Sequence, residues 1–206
     1  MPKRNVNRSY KRGEPHRDVR LFIIVTEGER EDKYFGWFDR RNQRIRVELV
    51  PREMHASAPN HFINRLQQYV GDKGSEPQMG DSIWFVLDVD HWSREVIDNL
   101  IDACKQTKNW HIAISNPCFE VWLNFHSGPI TNKGAECSDL KTMLGERIRG
   151  GFHPNSICPM IDTAIEYAKA ADTHPDQDFP DRLQTKVYRL GEAMNVLLRL
   201  NAKKET

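Results

Sequence analysis

The chain has 206 residues, enough for one sizeable core and too few for two full domains. Charged residues make up 29% of it and nearly cancel, leaving a formal net charge of +1, so any nucleic-acid signal has to come from how the charge is distributed. Four scattered cysteines include no C-x-x-C pair of the kind structural zinc sites use and read as reduced and mostly packed. The absence of a long apolar stretch excludes a membrane span, and a cytoplasmic protein is expected.

Residues 1–20 form a basic arm with seven Lys or Arg against two acids. Arg4, Arg8, Lys11 and Arg12 lie in it, and such an arm suits tracking of a phosphate backbone. From residue 21 strand and helix patterns alternate. Residues 21–26 read as a buried strand, and 29–40 as a helix whose apolar face carries Tyr34, Phe35, Trp37 and Phe38. Residues 45–50 alternate as a second strand and 60–70 have helical spacing. Residues 83–87 are the most apolar strand, 93–108 a helix capped by Ser93, and 111–115 a fourth strand.

Beyond Asn116 no strong strand pattern remains. Pro117 suits the first turn of a helix that is apolar nearly all round, and residues 157–171 and 184–200 are further helix candidates, with a short one at 140–148. The order predicts an α/β core over 21–126, with about four mainly parallel strands flanked by helices. A helical C-terminal region, 127–206, packs on it.

The candidate chemistry is carboxylate. Glu27 follows the first strand directly, with Gly28 leaving room beside it, and Asp88 and Asp90 close the most apolar strand with one residue between them. If the two strands are neighbours and parallel, three acids meet at one sheet edge. Such a set repels itself without a cation, and oxygen donors of this kind prefer Mg²⁺ or Mn²⁺. Glu31, four residues after Glu27, is a candidate ligand for a second ion, or alternatively a partner of Arg30 or Lys33. Glu120 stands among apolar residues and needs a cation, a metal or backbone amides. His126, two helical turns further on, is either a packed histidine or a proton shuttle. There is no P-loop, G-x-G-x-x-G turn or G-x-S-x-G elbow.

Thr26-Glu27-Gly28 with Glu31, Tyr34 and Phe35, then Asp88-x-Asp90, then Ser115-Asn116-Pro117-x-Phe119-Glu120-x-Trp122 with His126, resembles the RloB-like family, a divergent branch of the TOPRIM domains associated with phage-defence and restriction loci. The resemblance implies a TOPRIM-like fold and a Mg²⁺- or Mn²⁺-dependent endonuclease acting on RNA such as tRNA, or on DNA. Glu27 would be metal ligand or general base, with Asp88 and Asp90 as the metal-binding pair. Glu31 would hold a second ion, and Glu120 and His126 would assist catalysis. Arg30, Lys33, Asn116 and Lys141 would join the basic arm on the nucleic acid. The alternative is a non-catalytic subunit that binds nucleic acid or serves as adaptor to a partner ATPase. A haloacid-dehalogenase phosphatase also uses D-x-D, but on its first core strand rather than late in the chain.

Overall fold

The computed structural model describes residues 19–52, 59–74, 77–78, 80–90 and 92–202. The basic-arm candidates Arg4, Arg8, Lys11 and Arg12 lie outside the described residues. Five strands form one sheet in the order β2-β1-β3-β4-β5: β1 (Arg20–Val25), β2 (Ile45–Leu49), β3 (Ser82–Asp88), β4 (Trp110–Asn116) and β5 (Gln184–Thr185). The first four are parallel, and β5 runs antiparallel to the end of β4.

β3 lies between β1 and β4 and buries Ile83 through Leu87 without a break, because a central parallel strand is covered on both faces. Its neighbours alternate with it. Phe22, Ile24, Trp84 and Val86 join one apolar cluster, and Ile23, Val25, Ile83, Phe85 and Leu87 the other. Crossovers between parallel strands are right-handed, so stepping from β1 out to β2 and back across to β3 puts the connecting helices on opposite faces. α1 (Glu29–Gly36) accordingly packs in the first cluster, and α2 (Pro59–Lys73) and α3 (Arg94–Gln106) in the second. Ser93 caps α3 by accepting from the Val96 N–H, as its position suggested.

The remaining helices, α4 (Glu120–Phe125), α5 (Cys137–Arg147), the single turn α6 (Pro154–Ile157), α7 (Ile161–Ala171) and α8 (Val187–Ala202), follow in sequence. α4 is buried along its whole length, as its all-round apolar pattern requires, and it packs against α5 and α7. Residues of all five contribute to the cluster that contains Phe22 and Ile24. Among the described residues no helix is long and apolar enough to cross a membrane.

Several boundaries differ from expectation: the helix read over 157–171 is divided, with α7 starting at Ile161, and α5 starts at Cys137 rather than residue 140. α1 stops at Gly36 rather than residue 40: a Cβ there would lie 3.3 Å from Leu49, and the chain turns back through left-handed Arg40 while Phe38 stays buried. Pro117 precedes α4, which begins only at Glu120, and the Asn116–Pro117 peptide is cis. Gln184 and Thr185, read as the start of a helix, form β5 instead, entered through left-handed Leu183.

Candidate active site

Between β1 and β3 the strand order reverses: the chain leaves β1 towards β2 and leaves β3 towards β4. The carboxyl ends of strands diverge there, and the crevice is where open α/β sheets place their ligands. Buried Arg65 of α2 fixes this edge by donating to the carbonyls of Thr26 (3.0 Å), Val50 (3.1 Å) and Pro51 (3.3 Å). The Thr26 hydroxyl donates to Asp32 one turn into α1. Glu27 is then held from both sides. Its Oε2 accepts the Asp88 N–H at 2.8 Å, and its Oε1 accepts the Trp92 indole. Burial pushes the Glu27 carboxyl up to about 7, with Glu31 and Asp90 adding to the rise against those two hydrogen bonds.

The acids expected from the sequence converge. Glu31, Asp88, Asp90 and Glu120 line one cleft of about 520 Å³, together with Arg30, Lys33, Lys141 and Phe152. Glu31 is only 6% exposed, and Gly28 makes that placement possible: a Cβ at residue 28 would stand 2.7 Å from Glu31 Oε2. Burial and the neighbouring Glu120 and Asp32 raise the Glu31 carboxyl. Asp88 is raised well above the usual range by burial and by Glu31, Glu27 and Asp90, while its Oδ1 is buried without a hydrogen-bond partner. The loop carrying Asp90 is fixed from β4, since the Pro117 carbonyl accepts both the Val89 N–H (3.0 Å) and the Asp90 N–H (3.1 Å). Glu120, 5% exposed, meets the cation its burial demands in Arg30, with Lys141 at 4.0 Å.

The match to known families covers this whole assembly, from β1 into α8: the profile described as RloB-like protein matches residues 22–194. The chain belongs to the RloB-like family. No curated protein and no solved structure matches it.

Glu27, expected as an ion ligand, stands beside the cleft and not in its lining, with one oxygen on the Asp88 N–H and the other on the Trp92 indole, and two further assigned residues of this RloB-like chain stand elsewhere than expected. His126 does not reach the cleft. It is buried in the aromatic core, its Nδ1–H donating to the Trp122 carbonyl (3.1 Å) and its Nε2 accepting the Tyr34 hydroxyl (2.9 Å). Burial pulls its imidazole down to about 4, and a neutral ring with both nitrogens bonded has no proton to move at the cleft. Asn116 gives its side-chain amide to the Pro180 carbonyl (3.0 Å), tying β4 to the segment that leads into β5. Neither residue lines the cleft, because the turn of α4 and the pairing of β4 with β5 direct them into the molecule.

His126 leaves a measurable trace on stability. Unfolded, it takes up a proton near pH 6.5, and folded only near 4, so it removes about 3 kcal/mol of stability as pH falls through that interval. The acid limb of wild-type urea stability is expected to be steeper than that of His126→Gln by that amount. Parallel limbs would refute this placement of the ring.

Trp92, Phe152 and the Pro117 carbonyl escaped the sequence reading. Trp92, two residues after Asp90, was legible as an indole beside an acidic loop. Phe152 comes from a Gly- and charge-rich stretch with no local pattern.

The cleft residues suit a hard divalent cation in kind. The acids supply oxygen donors, one of them buried and unpartnered, and they raise one another's proton affinity. Among the described residues, however, no three His, Cys, Asp or Glu side chains stand as a ready-made metal group. The thiols of Cys118, which lines the cleft, and of Cys137, which donates to Asp90 at 3.4 Å, are pushed up by burial and stay protonated, which leaves carboxylates as the donors.

Proposed function

We propose that the cleft hydrolyses phosphodiester bonds of nucleic acid with Mg²⁺ or Mn²⁺, and that the protein is a nuclease of phage defence. The observation that carries this reading is the unpartnered, buried Asp88 Oδ1, set among mutually repelling acids in a cleft also lined by the cations Arg30, Lys33 and Lys141. Glu31, Asp88 and Asp90 would hold the ion. When bound, a divalent cation neutralises a scissile phosphate and makes water a stronger nucleophile at neutral pH. Glu27, bonded to the Asp88 N–H and with a carboxyl near 7, keeps the Asp88 loop in place and exchanges a proton close to neutrality. Arg30 and Lys141, gathered by Glu120, bind phosphate oxygens without reading bases. The TOPRIM relationship is part of the same reading.

Purified protein incubated with plasmid, single-stranded DNA and total tRNA is expected to cleave at least one of them with Mg²⁺ or Mn²⁺ and none with chelator. A second reading, a non-catalytic subunit that binds nucleic acid or a partner ATPase, is favoured by the lack of a ready-made metal group among the described residues. Mn²⁺ titration separates the two, since a non-catalytic remnant binds no ion in the cleft. The nuclease reading also fixes the pH dependence of binding. The raised carboxyls of Glu31 and Asp88 hold protons that the ion has to displace, so Mn²⁺ affinity should rise with pH through the range in which they ionise, by about tenfold per pH unit for each proton released. Calorimetry at pH 5.5, 6.5 and 7.5 checks it, and a flat profile would count against metal binding at these acids.

A further inference from the structure

Phe152 lines the cleft and has no part in metal-assisted hydrolysis. α5 ends at Arg147, and the chain then passes through Gly150 and Gly151, both left-handed (φ 84° and 75°), with the Gly151 N–H returned to the Ile148 carbonyl at 2.8 Å. A non-glycine residue is disfavoured at each of these positions, so the two glycines fix the direction in which the next residue leaves. That residue is Phe152, packed in part against the large apolar cluster, half-exposed and lining the cleft. The Arg30 guanidinium stands 5.9 Å from its ring centroid and is held by Glu120.

We propose that Phe152 is a stacking platform for an unpaired nucleobase, so that the cleft takes single-stranded or looped segments of a polynucleotide and not paired duplex. The proposal rests on the nuclease reading for what happens to the phosphate, and on Phe152 for what happens to the base. A ring beside a cation is the pairing that a nucleotide needs, one surface for the base and one charge for the adjoining phosphate. Within a double helix both faces of each base are already stacked on neighbours, and a site that reaches reactive atoms inside a cleft takes bases that are free or flipped out. Asp88, with Oδ1 fully buried, lines the same cleft as Phe152 and Arg30, so a base held at Phe152 keeps its phosphodiester in the cleft that holds the acids.

The test uses full-length protein in chelator, where no cleavage occurs, and hairpin oligonucleotides carrying 2-aminopurine either in the loop or in the stem. Wild type should bind the loop probe and quench its fluorescence, leaving the stem probe unchanged. Phe152→Leu keeps an apolar side chain against the core but removes the ring. It should bind the loop probe about tenfold more weakly and without quenching, whereas Phe152→Tyr should behave as wild type. Equal binding of hairpin and blunt duplex by wild type, or undiminished quenching by Phe152→Leu at an unchanged melting temperature, would overturn the proposal. Should Phe152→Leu lower the melting temperature, the quench by Phe152→Tyr decides: its loss refutes stacking. Ring-dependent binding without cleavage in Mg²⁺ or Mn²⁺ would refute the nuclease reading alone. Cleavage of duplex unaffected by Phe152→Leu would refute stacking alone.

Discussion

Asp88→Asn should lower metal-dependent cleavage about 10³-fold and at the same time raise the stability of the fold at pH 8. The first effect follows from removing a charged donor whose ion would supply several kcal/mol of transition-state stabilisation, each 1.36 kcal/mol being a factor of ten. The second follows from linkage. The Asp88 carboxyl has its proton affinity raised by burial and by Glu31, Glu27 and Asp90, so its ionised form is disfavoured in the folded state relative to the unfolded one. That penalty is absent below the unfolded carboxyl value near 3.8, and it grows as pH rises through the folded one. Asn is neutral throughout and keeps one side-chain oxygen as an acceptor. The melting temperature of Asp88→Asn should therefore exceed wild type at pH 8, and the gap should close towards pH 4. Mn²⁺ should raise the melting temperature of wild type and leave the variant unmoved, because only the native state of wild type would bind it. A variant that cuts as well as wild type, or that melts lower at pH 8 and no lower at pH 4, would remove Asp88 from the centre of the site.

The sheet was readable where burial writes itself into local pattern. Ile83 to Leu87 is apolar without a break because β3 is covered on both faces, and Glu27 and Asp88 mark where β1 and β3 leave the core. That the two ends are adjacent was a condition the local pattern left open, and the register of Val25 against Phe85 meets it. β5 was not readable, since two residues have no period and their pairing with Ser115 and Asn116 depends on a return of the chain from far away. His126 shows the limit in the site itself. Its spacing from Glu120 suits a shared helix, but α4 ends at Phe125 and the ring turns to Tyr34, a contact 92 residues apart. Glu120 was legible as a buried acid in need of a partner, whereas the choice of Arg30 from α1 belongs to tertiary packing. Phe152 reaches the cleft for the same kind of reason, through a turn set by glycines whose destination only the packed molecule defines.

The largest loss of stability is expected from a residue outside the cleft. The Lys186 side chain is fully buried, and its ammonium donates to Asp172 Oδ1 (2.7 Å), Asp172 Oδ2 (2.5 Å) and the His174 carbonyl (2.8 Å), which uses all three of its hydrogens. Tyr188 adds its hydroxyl to Asp172 Oδ2 at 2.8 Å, and the His174 N–H donates to Oδ1 at 3.1 Å. Lys186→Met keeps the volume and strands the Asp172 charge in the interior, at a cost of about 3–5 kcal/mol. For a chain of this size that corresponds to a fall in melting temperature of roughly 10 °C. Removing both charges, as Lys186→Met with Asp172→Asn, should recover part of the loss, because an uncharged pair carries no such desolvation penalty. The cleft should register the damage as well. The Lys186 N–H donates to the Ile114 carbonyl at 2.7 Å and Thr185 bonds Ser115 at 2.9 Å, so this cluster anchors β5 on the end of β4. The end of β4 leads into Pro117, whose carbonyl holds the Asp90 loop. Hydrogen exchange at the Val89 and Asp90 amides should accelerate in Lys186→Met at temperatures where the rest of the sheet stays protected. A denaturant midpoint within about 1 kcal/mol of wild type, or unchanged exchange at those two amides, would show that the buried pair neither secures β5 nor steadies the acidic loop.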